Sequence, residues 1–499
     1  MSGAAGGGTR RLAVRWIALP LMCVAAAGIA ATAATARTDA RTILSLTTPS
    51  TPPFATGLGD PVFQTPQAST AFAMARSAGA TYAKLLVPWN SIAPISLPSK
   101  GFTPTDPKSI YYHWSGLDAN IVAANEHGVT PILNIVSPPK WAYSVKPGSW
   151  TGGSPNVTML GQFATALAKH YNRLTAPFAH IFTVWNEPNY TKNLYPQSET
   201  YYLSMVNAVA TSVHAVNPAD LVGAGELAPV KNVAATQGKN HAIPPITFMQ
   251  KMFCLTATTP VHRTCSTKAD FDIWVHHPYS DTGPFGKAKI SGGVELGDLP
   301  KMYALLGTAE KLGAISSAKP VQFWATEIGW DSNPPNSHGA PMNLDARWVS
   351  EADYQMWKSG VTLGAWFTLQ DEAPWTAFQS GLYYGSASLL TAKAKPLLTP
   401  FKFPFVAYLH SGGKVYVWGR DTTSNLQTVT IQEQIGSKPF KTVATVTSNS
   451  YGIFEATLSL HAQSNDTLQA IAPGSGTSRP FSLMVPNNEN LNVVPFTPN

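Results

Sequence analysis

The alternation of apolar and polar segments along the chain predicts a repeated strand and helix unit. Short apolar runs, each ended by Pro, Gly, Asn or a charged residue, are typical of buried strands. Helical periodicity lies between most of them and is clearest over 69–78, 198–216, 299–312 and 351–358. The predicted strands cover 54–58, 81–87, 129–136, 180–185, 221–225, 271–275, 323–327 and 361–367.

Eight such alternations favour a parallel sheet that closes on itself. We therefore predict an α/β fold, a (β/α)8 TIM barrel, for residues 54–400. No glycine-rich phosphate loop follows the first strand, which argues against an open nucleotide-binding sheet. In such a barrel the carboxyl ends of the strands meet on one face, so residues that follow the strands should line a common cleft. These residues are Trp89, Trp141, Glu187, His277, Tyr279, Glu327 and Trp366.

The pattern changes beyond about residue 400 to short alternating strands separated by Asn, Ser and Gly turns. The predicted strands cover 414–418, 427–431, 441–446, 452–458 and 467–471. This pattern predicts a C-terminal β-sandwich domain over 401–499. We expect it to pack on the barrel, because no aromatic row is evident in it beyond Tyr416 and Trp418.

The N-terminal segment has the features of an export signal. Basic residues at 10, 11 and 15 precede an Ala-rich apolar run over 16–34, and Ala34-Thr35-Ala36 provides a cleavage sequence. We predict a signal peptide over 1–36, a Pro/Thr-rich linker over 37–53, and secretion without stable membrane insertion. An uncleaved anchor is the alternative, since the run approaches the roughly 20 residues of a membrane span.

Composition and charge narrow the function classes. The chain is 44% hydrophobic and only 12% charged, which argues for folded domains. Its formal charge of +7 includes the arginines of the predicted signal, and no Lys/Arg run remains to suggest a nucleic-acid partner. Cys254 and Cys265 are the only cysteines left after export and predict one local disulfide. No residue group has metal-ligand spacing, so no cofactor is predicted.

Two glutamates stand at strand ends in similar surroundings. Glu187 follows an apolar run and precedes Pro188, which cannot continue a strand ladder and biases its neighbour away from helix. Glu327 follows the seventh predicted strand, and both glutamates have Trp residues nearby. Cleavage of a glycosidic bond needs two such carboxyl groups. One gives a proton to the leaving oxygen, and the other attacks the anomeric carbon or activates water.

The sequence resembles clan A of the glycoside hydrolases over residues 54–400. The resemblance rests on Asn186-Glu187-Pro188, His277-Pro278-Tyr279, Glu327, Trp366 and Ser137-Pro138-Pro139-Lys140-Trp141. Within this clan, the sequence is similar to the β-xylosidase and α-L-iduronidase family (family 39) and to cellulase-type members (family 5). The arginine that many cellulase-type members carry on strand two is not evident where Lys84 and Trp89 stand.

The resemblance implies roles for individual residues. Glu187 matches the acid/base, Glu327 the nucleophile, Asn186 the amide that bonds the sugar 2-hydroxyl, Tyr279 the phenol that bonds the nucleophile, and Trp366 the platform under the sugar ring. We also consider His277, Trp89, Asn134 and Trp141 as sugar contacts, and Glu226 as the main competitor for a catalytic role.

The resulting hypothesis is a secreted, retaining glycoside hydrolase that acts on an oligosaccharide, polysaccharide or glycoside. A transglycosylase built on the same residues is one alternative. A non-catalytic carbohydrate-binding wall protein with the same barrel is the other.

Overall fold

The computed structural model describes residues 43–48, 51–238, 241–373, 377–423 and 426–486. The predicted signal peptide, 1–36, lies outside these described residues. No helix within them combines the length and the apolar character that crossing a membrane requires.

Eight parallel strands form a closed barrel, as predicted. Each strand pairs with the next one along the chain, and the eighth pairs with the first. The predicted strands are confirmed with shifts of a few residues at their ends. In chain order the barrel strands are Ala55–Gly59, Tyr82–Pro88, Thr130–Val136, Ile181–Val184, Leu221–Leu227, Ile273–His276, Gln322–Ile328 and Leu363–Phe367.

Helices lie between the strands. The longer ones are Ala68–Ser77, Ser115–Glu126, Val157–Tyr171, Glu199–Val216, Pro245–Met252, Leu299–Lys311 and Met342–Lys358. The sequence analysis missed Pro245–Met252, a short helix with proline at its first position. The last helix begins at Met342 rather than at 351, and its first turns contain charged residues that interrupt the apolar pattern. Arg347 Nε, for example, donates to Glu351 Oε1 at 2.9 Å.

Apolar side chains close the amino-terminal half of the barrel interior. This cluster contains Ile132, Ile181, Ile273, Val275, Trp324, Leu363 and Ala365. Successive side chains of a strand point to opposite faces, so the members of this cluster show which positions face inward. Polar residues near the carboxyl ends of the strands therefore sit above a closed apolar floor.

The C-terminal domain contains two sheets. Phe405–Leu409, Lys414–Arg420 and Ile453–Ser459 form an antiparallel three-stranded sheet. The second sheet is built on Thr428–Gln434, Lys441–Thr447 and Thr467–Ala472, with short strands at Gly476–Thr477 and Phe481–Ser482. All five predicted strands are present, and Phe405–Leu409 is an additional one. The β-sandwich is thus confirmed.

The segment predicted as a linker contributes to this sandwich. Leu44–Thr47 is a strand that runs parallel to Lys441–Thr447, and Thr48 N donates to Thr447 O at 3.1 Å. The prediction of a linker over 37–53 is wrong for these residues. Apolar and polar residues alternate along Leu44–Thr47, and the Leu46 side chain packs against the hydrophobic core.

The sandwich packs on the helix Met342–Lys358, as expected. The Tyr354 ring lies 5.5 Å from the Trp418 ring, and Phe405 N donates to Ser350 Oγ at 3.2 Å. Arg347 Nη1 donates to Ser482 O at 2.8 Å.

Cys254 and Cys265 form the predicted disulfide, with a Cα–Cα distance of 5.7 Å. The bond closes the loop between the helix Pro245–Met252 and the sixth barrel strand. Loops of this kind lie on the barrel face opposite the carboxyl ends of the strands.

Candidate active site

A cavity of about 930 Å³ opens at the carboxyl ends of the barrel strands. Its polar wall includes Asn186, Glu187, Tyr279 and Glu327, all named above as candidate site residues. The same wall contains Asp60, Gln64, Lys84, Tyr190, Lys192, Asn193, Lys231, Asn232 and Asp281, and its aromatic part contains Phe367 and Phe378.

Glu327 is held by one cation and one phenol. The register of the seventh strand against the eighth shifts between Ala325 and Ile328, and this bulge turns Glu327 towards the cavity. Lys84 Nζ donates to Oε1 at 2.9 Å, and Tyr279 Oη donates to Oε2 at 3.2 Å. Burial raises the pKa of Glu327, but the charges of His277 and Lys84 outweigh it and hold the pKa below its ordinary value. Glu327 is therefore ionised at neutral pH.

Glu187 sits on a backbone turn of unusual conformation. Trp185 and Glu187 both have positive φ angles, of 68° and 45°. Such angles are costly for non-glycine residues and persist only where neighbouring groups enforce them. Asn134 Nδ2 donates to the Trp185 carbonyl at 2.5 Å, and Glu187 N donates to the Glu226 carbonyl at 2.9 Å. These two bonds hold the turn that presents Glu187 to the cavity.

The Glu187 side chain has weaker partners than Glu327. Its Oε1 lies 3.2 Å from His277 Nδ1, and its Oε2 accepts a long bond of 3.5 Å from Asn193 Nδ2. The side chain is 19% exposed. No cation of the lysine or arginine type contacts it among the described residues.

His277 is fully buried beneath the two carboxylates. Its Nε2 lies 2.6 Å from Glu226 Oε2 and 3.7 Å from Glu327 Oε1. Burial lowers the pKa of His277, but the charge of Glu327 and the hydrogen bonds to Glu187 and Glu226 raise it to about 9. His276 is buried too, and burial lowers its pKa to about 3. Its Nε2 lies 2.9 Å from the Val294 carbonyl, so His276 has a structural role.

Lys84 is the central residue that the sequence analysis did not assign to the site. Its Nζ donates to Glu226 at 2.7 Å, to Glu327 at 2.9 Å and to Asn186 Oδ1 at 3.1 Å. Burial lowers its pKa, but Glu226 and Glu327 raise it above the ordinary value, so it stays an ammonium group. The available signal was a lone lysine within an otherwise apolar strand.

Glu226 lies below the cavity. It is completely buried, has a φ angle of 49°, and occupies a bulge of the fifth strand. Burial raises its pKa, but Lys84 and His277 outweigh this effect and hold the pKa well below the ordinary value. A substrate in the cavity would not reach this carboxylate, so the suggestion that Glu226 competes for the catalytic role is not supported.

Trp366 does not line the cavity, and its expected role as the platform is wrong. The indole is 3% exposed, donates from Nε1 to the Ser380 carbonyl at 2.6 Å, and packs against Trp330. Its neighbour Phe367 faces the cavity instead, because Leu363 and Ala365 of the same strand point inward. The Phe367 ring makes an edge contact of 4.7 Å with Phe378.

Four further expected sugar contacts also lie away from the cavity wall. Trp89 is buried and stacks on Phe163 at 5.0 Å. Trp141 makes an edge contact with Trp89 and donates to the Pro94 carbonyl. Asn134 is fully buried and supports the Trp185 turn, and His277 likewise acts from below the wall. These residues support the site rather than line it.

Loops after the strands supply the wall residues that the sequence analysis missed. Asp60 follows the first strand and accepts hydrogen bonds from the backbone of Val62, Leu369 and Gln370, which fastens the first loop to the eighth. Lys231 pairs with Asp281 across the loops after strands five and six. Among the described residues, no group of three or more His, Cys, Asp and Glu side chains could hold a metal ion.

No protein-family model and no curated protein sequence matches the chain. Solved structures match it in fold. A GH39 enzyme from Xanthomonas axonopodis pv. citri aligns with a TM-score of 0.50 and 13% identity, over 86% of this chain and 97% of that one. A monomeric β-xylosidase from Caulobacter crescentus CB15 aligns with a TM-score of 0.50 and 13% identity, over 86% and 98%. The chain therefore shares its barrel fold with these two enzymes.

Proposed function

We propose that the protein is a retaining glycoside hydrolase in which Glu327 is the nucleophile and Glu187 the acid/base. The observation that carries this proposal is the unequal surroundings of two carboxylates on one cavity. Glu327 receives hydrogen bonds from an ammonium group and a phenol, whereas Glu187 has an imidazole and a distant amide. One group is thus held as an anion, and the other can exchange a proton.

In the first step, the Glu327 carboxylate attacks the anomeric carbon while Glu187 protonates the leaving oxygen. Burial and the charge of Glu327 raise the pKa of Tyr279 well above its ordinary value, so its hydroxyl stays a donor to Glu327. Lys84 Nζ donates a hydrogen bond to Asn186 Oδ1, which leaves Asn186 Nδ2 as the group available to a sugar hydroxyl.

In the second step, Glu187 takes a proton from water, which then attacks the glycosyl-Glu327 ester. Glu187 gave its proton to the leaving oxygen in the first step, so it is available as the base in the second. The apolar rings of Phe367 and Phe378 provide the cavity face against which a sugar ring can pack.

The barrel fold that this chain shares with glycosidases supports the proposal. A panel of aryl glycosides is the first assay, and it should include the β-xyloside indicated by the name of the Caulobacter enzyme. A wild-type protein that cleaves none of a broad panel and no polysaccharide would contradict the proposal. Added acceptor sugars would then show whether water or a second sugar takes the glycosyl group.

Azide rescue distinguishes the two glutamates. With Glu327→Ala, we expect almost no turnover, and azide should restore cleavage of an activated glycoside with inversion. With Glu187→Ala, substrates with good leaving groups should still form the intermediate, and azide should release a product of retained configuration. Exchanged outcomes would reverse the assignment, and an inverted product from the wild type would exclude the retaining mechanism.

We also propose that the protein is exported and that residues 1–36 are removed. The disulfide between Cys254 and Cys265 supports this, because such bonds persist in oxidising compartments. Terminal sequencing of the protein from the culture medium should begin at Arg37. A protein found only in membranes, with residues 16–34 retained, would favour the anchor instead.

A further inference from the structure

One oxygen of Glu226 is the meeting point of three donors. Its Oε2 lies 2.7 Å from Lys84 Nζ, 2.6 Å from His277 Nε2 and 2.9 Å from Thr326 Oγ1. Lys84 also contacts Glu327, and His277 also contacts Glu187. Glu226 is therefore linked to both proposed catalytic carboxylates through one intermediate side chain each.

The donors of Lys84 determine where the His277 proton lies. An ammonium group has three N–H bonds. Three oxygen acceptors lie within 3.1 Å of Lys84 Nζ, on Glu226, Glu327 and Asn186, so these bonds are all used. The 3.2 Å contact between Lys84 Nζ and His277 Nε2 therefore does not need a hydrogen bond. Since Glu226 is an anion, His277 Nε2 carries a hydrogen and donates it to Glu226 Oε2.

Because Nε2 donates to Glu226, the other ring nitrogen of His277, Nδ1, is the one that contacts Glu187. A neutral imidazole with its hydrogen on Nε2 has a lone pair on Nδ1, which can accept the proton of a Glu187 carboxyl group. An imidazolium would instead donate from Nδ1 to a Glu187 carboxylate. The two arrangements have the same total charge and differ by the transfer of one proton across the 3.2 Å contact.

We propose that Glu226 is a positioning residue, which fixes the Nε2–H form of His277 so that the ring and Glu187 share one proton. This inference rests on the proposed function. Through Lys84, the same carboxylate balances the charge beside Glu327. Without Glu226, the Lys84 ammonium would face Glu327 as its only carboxylate partner and would stabilise it more strongly as an anion, making it a poorer nucleophile.

The charged groups around His277 come from four other strands or their ends. They are Lys84 of the second strand, Glu187 after the fourth, Glu226 of the fifth and Glu327 of the seventh. Three are carboxyl groups, and Glu226 is the closest of them. Removing its charge should therefore let the shared proton leave at lower pH.

The first test does not depend on catalysis. Nitrogen-15 NMR of histidine-labelled wild-type protein, with the His277→Gln variant for assignment, reports which ring nitrogen carries hydrogen. We expect hydrogen on Nε2 of His277 across the whole pH range, and on Nδ1 as well until the pH rises past about 9. In Glu226→Gln, the ring should lose its extra proton at lower pH than in the wild type. A neutral ring with its hydrogen on Nδ1 rather than on Nε2 in the wild type would overturn the proposal, whether or not the variant folds.

The second test is the pH dependence of kcat/KM on an aryl glycoside. Glu226→Gln should move the alkaline limb to lower pH by about one unit or more. The matched control is Thr326→Val, which removes a hydrogen bond to the same oxygen without changing the charge. Its alkaline limb should stay where the wild type has it. The proposal would be contradicted if the alkaline limb lay at the same pH in all three proteins, or if it shifted by the same amount in both variants.

The two tests separate this inference from the proposed function. A wild-type protein with no glycosidase activity but with the expected His277 form would contradict the function and keep the buried arrangement. An active wild type whose limb is unmoved in Glu226→Gln would keep the function and contradict the role of Glu226.

Discussion

Arg420 Nη1 donates a hydrogen bond of 3.1 Å to Thr56 Oγ1 and so joins a strand of the sandwich to the first strand of the barrel. Arg420 is 2% exposed, and the charge of Asp353 on the helix Met342–Lys358 attracts it. The sandwich thus places a buried cation against the barrel wall.

Removal of residues 403–499 should therefore cost the barrel its stability. The helix Met342–Lys358 would expose Tyr354 and Trp357, which the sandwich covers. We expect an insoluble or poorly folded product. A soluble barrel with the thermal stability of the full chain would contradict this. Within the full chain, Arg420→Met should lower the free energy of unfolding by about 1–3 kcal/mol in urea, whereas Lys438→Met on an exposed turn should not.

Lys84→Met should raise the pKa of Glu327, because the ammonium group beside it helps to hold that pKa low. The acidic limb of kcat/KM, which reports protonation of the nucleophile, should move to higher pH. We expect kcat/KM at its optimum to fall by roughly 10²–10³. Lys192→Met is the control, since this lysine lines the cavity without an ion-pair partner among the described residues. An acidic limb unmoved in Lys84→Met would show that Lys84 does not tune Glu327.

Phe367→Ala and Trp366→Ala should have opposite consequences. The first removes a cavity wall and should reduce kcat/KM with little loss of stability. The second empties a buried indole site and should cost about 3–5 kcal/mol of unfolding free energy. Thermal unfolding together with kinetics on one aryl glycoside measures both effects. If Trp366 were the sugar platform, Trp366→Phe would lower kcat/KM more than Phe367→Leu does.

Asp345 should make the protein less stable as the pH rises. It is fully buried, neither oxygen has a hydrogen-bond partner among the described residues, and burial raises its pKa well above the ordinary value. The folded state therefore keeps a proton that the unfolded chain releases above about pH 4. The contribution of Asp345 to the free energy of unfolding is therefore fully present below about pH 4. It declines as the pH rises further, until the pH exceeds the pKa of Asp345 in the folded state.

The variant Asp345→Asn should remove this decline. Compared with the wild type, it should gain unfolding free energy between pH 4.5 and pH 8, measured with urea at both values. The gain can reach about 1.4 kcal/mol for each pH unit over which only the folded state holds the proton. A constant difference between variant and wild type across this range would contradict the prediction.

Replacing both Cys254 and Cys265 by Ser should lower stability but not activity. The bond spans 11 residues, and closing a loop of this size contributes roughly 2–3 kcal/mol. The loop lies on the barrel face opposite the cavity, so kcat/KM of the folded variant should match the wild type. Free thiols in the wild-type protein, detected by mass spectrometry, would contradict the assignment of the bond.

The sequence analysis was accurate where a repeating pattern carried the information. Apolar runs and their ends located all eight barrel strands, and strand ends brought Glu187, Tyr279 and Glu327 to one cavity. It was wrong where a shift of one residue along a strand decides which side chain faces the cavity. Trp366 and Phe367 are both aromatic and adjacent, and only the inward positions earlier in the strand distinguish them.

Tertiary contacts decided the remaining differences. Lys84 lies in an apolar strand, and its three acceptors come from residues more than a hundred positions away. Bulges reorient Glu226 and Glu327, and a bulge depends on the pairing strand rather than on local residues. The wall residues Lys192, Asn193, Lys231 and Asn232 belong to loops, whose course the hydrophobic pattern does not record.

The pairing of Leu44–Thr47 with Lys441–Thr447 has a consequence for the order of folding. The first described strand meets its partner only after almost the whole chain has been synthesised, so this part of the sheet cannot form on the nascent chain. Contacts between such distant segments also slow folding, because the connecting chain must first be brought together. If the chain is exported unfolded, as we propose, this strand pair can form only after residues 441–447 have crossed the membrane.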